Sequence, residues 1–213
     1  LDGSHASGLR SLLERRGVLI FPQVHFTEGE QIAFTKFLGT YVSDHPDSSA
    51  TSISIDPAGG QIANYTRSSF FWHFDGYMNE VPILGSLMCC VVPSPEGGDT
   101  EFANTYAAWD MLAEEDKKQI EALRVVHSAW ASLFYYDPEP SLAMTKQMMA
   151  IGEQDLPLVW KHRSGRKSLV LGCTAHHVVG MSAMQSTELL VRLREWATQP
   201  QFTYRHKWTV GDL

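Results

Sequence analysis

The chain has 213 residues, of which 44% are hydrophobic and 19% charged, so it can bury the core of one soluble globular domain. Its formal net charge of -7 argues against a nucleic-acid groove, because duplex binding needs clustered lysine and arginine. No apolar run reaches the length of a membrane span, and no basic-then-apolar signal pattern opens the chain. Three cysteines without a Cys-x-x-Cys pair argue against structural zinc and favour reduced thiols in a cytoplasmic protein.

Two helices are predicted near the start of the chain. Leucines at helical spacing before Gly17 indicate a short amphipathic helix with a glycine C-cap. Thr27 and Glu30 have the spacing of a capping box, which opens a second helix that closes at Gly39.

Strands are predicted where β-branched and aromatic residues form short runs between turn residues. A loop rich in Ser, Asp, Pro and Gly covers residues 43–60, and Gly97-Gly98 marks a turn with backbone angles that other residues avoid. The predicted strands cover residues 18–21, 53–55, 70–75, 83–92, 125–128, 158–162, 168–171 and 202–208.

Three further helices are predicted: one capped by Thr105 and running through Met111, one over residues 113–123 and one over residues 184–197. The stretch 129–157 is rich in aromatic residues, methionine and proline, and we interpret it as a lid or insertion rather than as part of a sheet. Many strands with a few flanking helices favour a mainly β fold, an antiparallel double-sheet barrel formed by one domain.

His73 and Asp75 are the strongest candidates for a metal site. On a strand they would project from the same face, because side chains repeat every two residues. One imidazole and one carboxylate are two thirds of the 2-His-1-carboxylate site, which holds Fe(II) and leaves other positions open. The spacing alone is a weak signal, since His45-Pro46-Asp47 repeats it with a proline that belongs to a turn.

Several blocks, in order along the chain, resemble the taurine and phenoxyacetate-herbicide dioxygenases, a family that uses Fe(II) and 2-oxoglutarate. No single block is decisive, but the ordered set is highly specific. The blocks are Gly17 to Phe21, Phe37 to Gly39 followed by His45-Pro46, Trp72 to Asp75, Gly97 to Asn104, His162 to Leu169 and Trp208 to Leu213.

The resemblance implies a double-stranded β-helix, or jelly roll, with flanking helices. It also implies an enzyme that couples oxidation of a substrate C–H bond by O₂ to conversion of 2-oxoglutarate into succinate and CO₂. His73 and Asp75 would then be iron ligands, and Thr100 would hydrogen-bond a carboxylate of 2-oxoglutarate. The alternative for Thr100 is an ordinary β-branched residue that opens a strand.

The family's second iron-binding histidine, and an arginine for 2-oxoglutarate, follow the block that here ends at Leu213. Four explanations stay open: a disordered C-terminal segment, a truncated chain, a site completed by another chain, or an inactive protein. We favour the first, because a segment that binds metal and cosubstrate would be loose without them. His176 and His177 are interpreted as a polar loop pair near the substrate pocket, and His206 as a surface residue.

Aromatic and methionine side chains around the motif favour a larger apolar or aromatic substrate. Candidate substrates are a sulfonate, a sulfate ester, an aryloxy acid or a similar apolar acid, and a homo-oligomer is expected. The candidate pocket residues are Phe71, Tyr77, Met78, Phe134 and His176, with Arg67 and Lys146 as candidate cations for an anionic substrate.

Two other functions remain open. One is an inactive jelly-roll protein that binds a ligand or partner, and the other is a metal-dependent cupin-type isomerase or hydrolase. A histidine followed by an arginine in the gene sequence beyond Leu213 would favour the dioxygenase over the inactive protein. Oxygen-dependent formation of succinate would separate it from the cupin-type enzyme.

Overall fold

The computed structural model describes residues 3–43, 47, 49–53, 67–81 and 83–213. None of the helices in these ranges has the length and apolar composition of a membrane span. The chain forms two compact units, so the prediction of a single domain stays a prediction. The first unit comprises Leu1–Ile53, Gly85–Phe102 and Tyr204–Leu213, and the second comprises Ser54–Leu84 and Ala103–Thr203.

In the described residues, helices and strands are mixed along the chain. The α-helices are α1 (Ala6–Arg16), α2 (Glu28–Leu38), α3 (Thr105–Asp110), α4 (Glu114–Ile120), α5 (Ala129–Tyr136), α6 (Leu142–Met149) and α7 (Ala183–Ala197), with short 3-10 helices at Arg67–Phe70 and Pro200–Phe202. The strands are β1 (Thr100–Ala103), β2 (Arg124–Ser128), β3 (Glu153–Pro157), β4 (Val159–Lys161), β5 (Lys167–Leu169), β6 (Ala175–Val178) and β7 (Thr203–His206).

The strands in the described ranges form three small sheets. β2 lies at the centre of one sheet, pairing with β3 on one side and β6 on the other, both antiparallel. β4 and β5 form the predicted antiparallel hairpin, and β1 pairs with β7. In the described part of the chain the helices contain more residues than the strands, so the antiparallel pairing is confirmed but the strand-dominated composition is not seen.

The two helices of the first unit confirm the capping predictions. α1 ends at Gly17, whose positive φ of 79° lets its N–H reach the carbonyl of Leu13. α2 opens with the reciprocal capping box of Thr27 and Glu30.

The predicted strands at 18–21 and 83–92 are wrong as regular elements. Each segment instead makes a single pair of backbone hydrogen bonds with the residues near Leu213. Phe21 and Leu213 exchange N–H···O bonds of 2.9 and 3.1 Å, and Cys90 bonds Asp212 and Gly211 at 2.9 and 2.8 Å. One pair of bonds does not extend into a ladder, so the segments are extended without being strands.

The core of the second unit lies between the central sheet and α7. Val125 and Val178 from the sheet and Leu193 from α7 are completely buried there. The predicted amphipathic helix over 184–197 is therefore confirmed, because its apolar face is the one that packs. This burial makes β2 and β6 a rigid support for the segments that lie on them.

Two other predictions in the second unit need correction. The stretch 129–157 is not an insertion, because it forms α5, α6 and β3, and β3 pairs with all five residues of β2. The cap of α3 is Asn104 rather than Thr105, because the Asn104 side chain accepts the N–H of Ala107. The strand predicted at 53–55 lies largely outside the described residues.

His127 is a buried histidine at the centre of the sheet. It is 0% exposed, its Nδ1 lies 2.9 Å from Thr174 Oγ1, and its Nε2 has no hydrogen-bond partner among the described residues. Burial, with a smaller contribution from nearby His176, lowers the pKa of His127 to about 4. The imidazole is therefore neutral in the folded chain at physiological pH.

This neutral histidine predicts a loss of stability in acid. The folded pKa is below the value of 6.5 expected when the chain unfolds, so the unfolded state takes up a proton first as the pH falls. The stabilisation that comes from neutral His127 is fully present above the unfolded-state pKa of 6.5, and about 2 kcal/mol of it is lost between pH 7 and pH 5. Chemical denaturation at the two pH values measures the loss.

The matched variants are His127→Gln and His5→Gln, since His5 is exposed. His127→Gln should remove most of the loss of stability between pH 7 and pH 5, and His5→Gln should leave that loss unchanged. An equal pH dependence in the wild type and His127→Gln would contradict the assignment.

Candidate functional site

His73 and Asp75 lie close together, although not on a strand. The predicted strand at 70–75 is wrong: the Arg67–Phe70 3-10 helix is followed by bends, and the Phe71 N–H closes a turn onto the Ser68 carbonyl at 3.1 Å. His73 Nε2 lies 3.5 Å from Asp75 Oδ1, with 34% and 54% of the two side chains exposed. A solvent-borne cation can therefore reach both groups.

The ring of His73 is held in one orientation. Its Nδ1 lies 2.8 Å from the carbonyl oxygen of Phe71, and a carbonyl only accepts, so Nδ1 carries the hydrogen. The pKa of His73 is raised, chiefly by its hydrogen bond to the carboxylate of Asp75 and against the effect of burial. Nε2 donates to this carboxylate when the ring is protonated, and it is the nitrogen that can bind a metal once that proton is lost, because Nδ1 stays bonded to the Phe71 carbonyl.

The backbone of the motif is docked on the segment before β6. Cys173 N donates to the carbonyl of Trp72 at 2.7 Å. The neighbouring Gly172 lies so close that a Cβ on it would meet the Cα of His73 at 3.0 Å and the Trp72 oxygen at 3.2 Å. Only glycine permits this approach, and its φ of 153° is one that other residues rarely adopt.

The same segment is tied to the central strand β2. Thr174 accepts the Ser128 N–H at 2.9 Å through its carbonyl, and its hydroxyl meets Nδ1 of His127. Phe74, the residue between the two candidate ligands, packs edge-on against the His127 ring with centroids 5.3 Å apart. The candidate ligands therefore stand on an irregular segment fixed to a buried sheet at two points.

A cavity of about 100 Å³ opens beside the two candidate ligands. Its wall combines serine and threonine hydroxyls with two aromatic rings, so it is more polar than the substrate pocket predicted from the sequence. The lining residues are Ser68, Ser69, His73, Phe74, Asp75, Gly76, Tyr77, Ala129, Ser132, Cys173 and Thr174. A larger groove of about 450 Å³ along β3 and β4 contains neither candidate ligand.

Among the predicted pocket residues, Tyr77 lines this cavity and the other four lie elsewhere. Phe71 packs against Tyr135, and the half-exposed Phe134 against Trp130. Met78 lies near Gly152. His176 is not in a loop but in β6, where its ring lies 4.6 Å from Trp130.

Sequence reasoning missed Ser132, Cys173 and Thr174. They reach the cavity through long-range packing, and no local pattern marks them. Ser68 and Ser69 are the exception, since two small polar residues just before the motif could have been considered.

Thr100 lies in the first unit, as the first residue of β1 and just after the turn at Gly97 and Gly98. Both glycines have positive φ, as predicted. The indole N–H of Trp208 donates to Thr100 Oγ1 at 2.8 Å. Because the indole only donates, the hydroxyl hydrogen of Thr100 is left to donate to another acceptor.

The third metal ligand is not supplied by the residues that the structure describes. Within them, no three His, Cys, Asp or Glu side chains are arranged to hold a metal ion together. The histidine expected beyond Leu213 stays a prediction.

Comparisons with known proteins identify the family. The family model "Taurine catabolism dioxygenase TauD, TfdA family" matches residues 1–213. The chain is 32% identical to an alpha-ketoglutarate-dependent 2,4-dichlorophenoxyacetate dioxygenase of Cupriavidus pinatubonensis, an alignment covering 100% of this chain and 80% of the relative. It is 30% identical to an alpha-ketoglutarate-dependent sulfate ester dioxygenase of Pseudomonas putida, covering 100% of this chain and 72% of that protein.

A solved structure gives the same result. The crystal structure of AAD-2 in complex with Mn(II) and N-oxalylglycine matches with a TM-score of 0.83 and 28% identity, over 100% of this chain and 78% of that one. The resemblance found in the sequence is confirmed, together with the dioxygenase class and its two cofactors. The chain therefore belongs to the TauD, TfdA family of Fe(II)- and 2-oxoglutarate-dependent dioxygenases.

Proposed function

We propose that this dioxygenase oxidises a C–H bond of a small organic acid: a sulfonate, a sulfate ester, an aryloxy acid or a similar apolar acid. His73 and Asp75 are the proposed protein ligands of Fe(II), and Thr100 the proposed hydrogen-bond partner of 2-oxoglutarate. The observation that carries the proposal is the fixed orientation of the His73 ring, whose Nε2 lies 3.5 Å from the Asp75 carboxylate.

The bound iron and 2-oxoglutarate supply a balanced oxidation: C–H, O₂ and 2-oxoglutarate become C–OH, succinate and CO₂. The residues of the chain bind the metal and the cosubstrate and orient them. His73 and Asp75 offer one nitrogen and one carboxylate, a donor set that suits Fe(II) with open positions. The docking of Trp72 on Cys173 keeps these donors in place, so little ordering is needed when the metal binds.

The substrate class rests on relatives whose names specify 2,4-dichlorophenoxyacetate and sulfate esters. Both kinds of compound are anionic, so their recognition calls for a cation. Arg67 begins the 3-10 helix whose Ser68 and Ser69 line the cavity. Lys146 lies in α6, none of whose residues lines it.

The finer points of the proposal follow the family. A jelly-roll fold is supported by the match to a solved family structure and by the antiparallel pairing of the central sheet. A homo-oligomer is proposed from the resemblance alone, and a cytoplasmic location from the three cysteines without a Cys-x-x-Cys pair. A nucleic-acid partner is not proposed, because the net charge is -7.

Isothermal titration with 2-oxoglutarate under anaerobic conditions tests the proposed ligands. The full-length protein should bind 2-oxoglutarate in the presence of Fe(II), and His73→Ala should lose this metal-dependent binding. Thr100→Val should weaken it by about tenfold to a hundredfold, the loss of one hydrogen bond to a charged group. The control is His5→Ala, because His5 is exposed and its side chain makes no cap hydrogen bond to α1.

Absence of binding by the wild-type protein with metal present would contradict the proposal. It would favour a ligand-binding protein without redox chemistry. Equal binding by His73→Ala and the wild type would show that the metal is held elsewhere.

Gly172→Ala tests whether the segment before β6 positions His73. The new methyl group would press on the His73 backbone, and Fe(II) affinity should fall by roughly tenfold, as for other residues that orient metal ligands. Gly165→Ala is a matched control, because φ is positive there too (87°) but nothing lies within 4 Å of the added Cβ. Equal Fe(II) affinities of the two variants would show that the close approach does not matter.

Arg67→Gln tests the anionic substrate class. For an acid that the wild type turns over, KM should rise by about tenfold or more with little change in kcat, because the charge contributes to binding rather than to chemistry. Lys146→Gln removes the same charge from α6 and should leave KM unchanged. A similar rise in KM for both variants would point to a general charge effect.

A further inference from the structure

Trp208 makes a contact that none of the functional assignments uses. Its indole N–H donates to Thr100 Oγ1 at 2.8 Å, across 108 positions of sequence, and both side chains are half-buried. An indole offers one donor and no acceptor, whereas a hydroxyl can donate or accept. The bond therefore occupies a lone pair of Thr100 and leaves its hydrogen pointing to another group.

The indole ring is itself held by a buried pair. His206 packs edge-on against Trp208, with ring centroids 4.5 Å apart and planes at 87°. The predicted surface position of His206 is wrong: it is 7% exposed, and its Nε2 lies 3.2 Å from Asp212 Oδ2. An ionised carboxylate only accepts, so Nε2 of His206 is the donor in this pair.

Asp212 anchors the pair to the backbone. Its Oδ2 accepts the Thr209 N–H at 2.9 Å, and its Oδ1 accepts the Gln23 N–H at 3.0 Å. These two backbone donors are the main cause that lowers the pKa of Asp212, which keeps the carboxylate charged. Asp212, His206 and Trp208 thus form a continuous chain of contacts that ends at the hydroxyl of Thr100.

We infer that Trp208 is a positioning residue that fixes the hydroxyl of Thr100 as a hydrogen-bond donor toward the carboxylate of 2-oxoglutarate, with His206 and Asp212 holding the indole in place. The inference rests on the proposed role of Thr100 and extends it. A carboxylate needs a donor, and a hydroxyl free to rotate would present its hydrogen only part of the time. The N–H of Trp208 removes that freedom before the cosubstrate arrives.

The test is a double-mutant cycle read by anaerobic titration of the Fe(II)-loaded full-length protein with 2-oxoglutarate. Trp208→Phe keeps an aromatic ring but lacks the N–H, and should raise the Kd of 2-oxoglutarate by about fivefold. Thr100→Val should raise it at least as much. The double variant should bind no more weakly than Thr100→Val, because the indole acts only through that hydroxyl.

Trp196→Phe is the matched control. Its indole N–H donates at the same distance, 2.8 Å, to the backbone carbonyl of Ala108 rather than to Thr100. It should leave the Kd of 2-oxoglutarate unchanged even if it lowers the melting temperature. Fe(II) affinity should be the same in all these variants, which separates the effect from general damage to the site.

A second substitution keeps the test valid if Trp208→Phe folds poorly. Replacing Trp208 by 3-benzothienyl-alanine retains the shape of the indole and exchanges its N–H for sulfur, and should raise the Kd by the same factor. An unchanged Kd in this variant, or additive effects in the cycle, would overturn the inference while leaving the role of Thr100 intact. No binding by the wild type, or no effect of Thr100→Val, would overturn the role of Thr100 and the inference with it.

Discussion

The candidate active site depends on one backbone hydrogen bond, from Cys173 N to the carbonyl of Trp72 at 2.7 Å. His73 and Asp75 belong to no helix or strand, so neither intrahelical nor ladder hydrogen bonds hold them. The bond to Cys173 fixes them to the segment before β6, and the absence of a side chain at Gly172 allows the two backbones to approach. Without this docking, the entropy of an irregular segment would oppose the pairing of two side chains across 3.5 Å.

The support behind this segment is an apolar core with a buried polar group in it. Thr174 connects the segment to β2, where His127 is neutral because burial lowers its pKa. The ring of His127 packs against Phe74, the residue between the candidate ligands. The candidate ligands thus lie on a segment of irregular backbone that buried strands hold in place, which is a common division of roles in enzymes.

The sequence predicted features set by local chemistry and missed those set by distant contacts. The capping box of Thr27, the C-cap at Gly17 and the apolar face of α7 each follow from a few neighbouring residues, and all three are present. The aromatic run around Trp72 has the composition of a strand, but no strand among the described residues pairs with it, so composition misled the prediction. Contacts such as Thr100 with Trp208, or the cavity wall at Ser132, join residues that no local pattern connects.

The central claim is that His73 and Asp75 hold the iron while Thr100 binds the cosubstrate. A crystal structure of the full-length protein with Mn(II) and N-oxalylglycine would test it most directly, since that pair has been bound in the related AAD-2 structure. If the claim is right, the metal lies about 2.0–2.3 Å from His73 Nε2 and from an Asp75 oxygen, the range of first-row metal–ligand bonds. A carboxylate of N-oxalylglycine then lies within hydrogen-bonding distance of Thr100 Oγ1. A metal bound away from this pair, with His73 still facing Asp75, would show that the two residues are not the metal ligands.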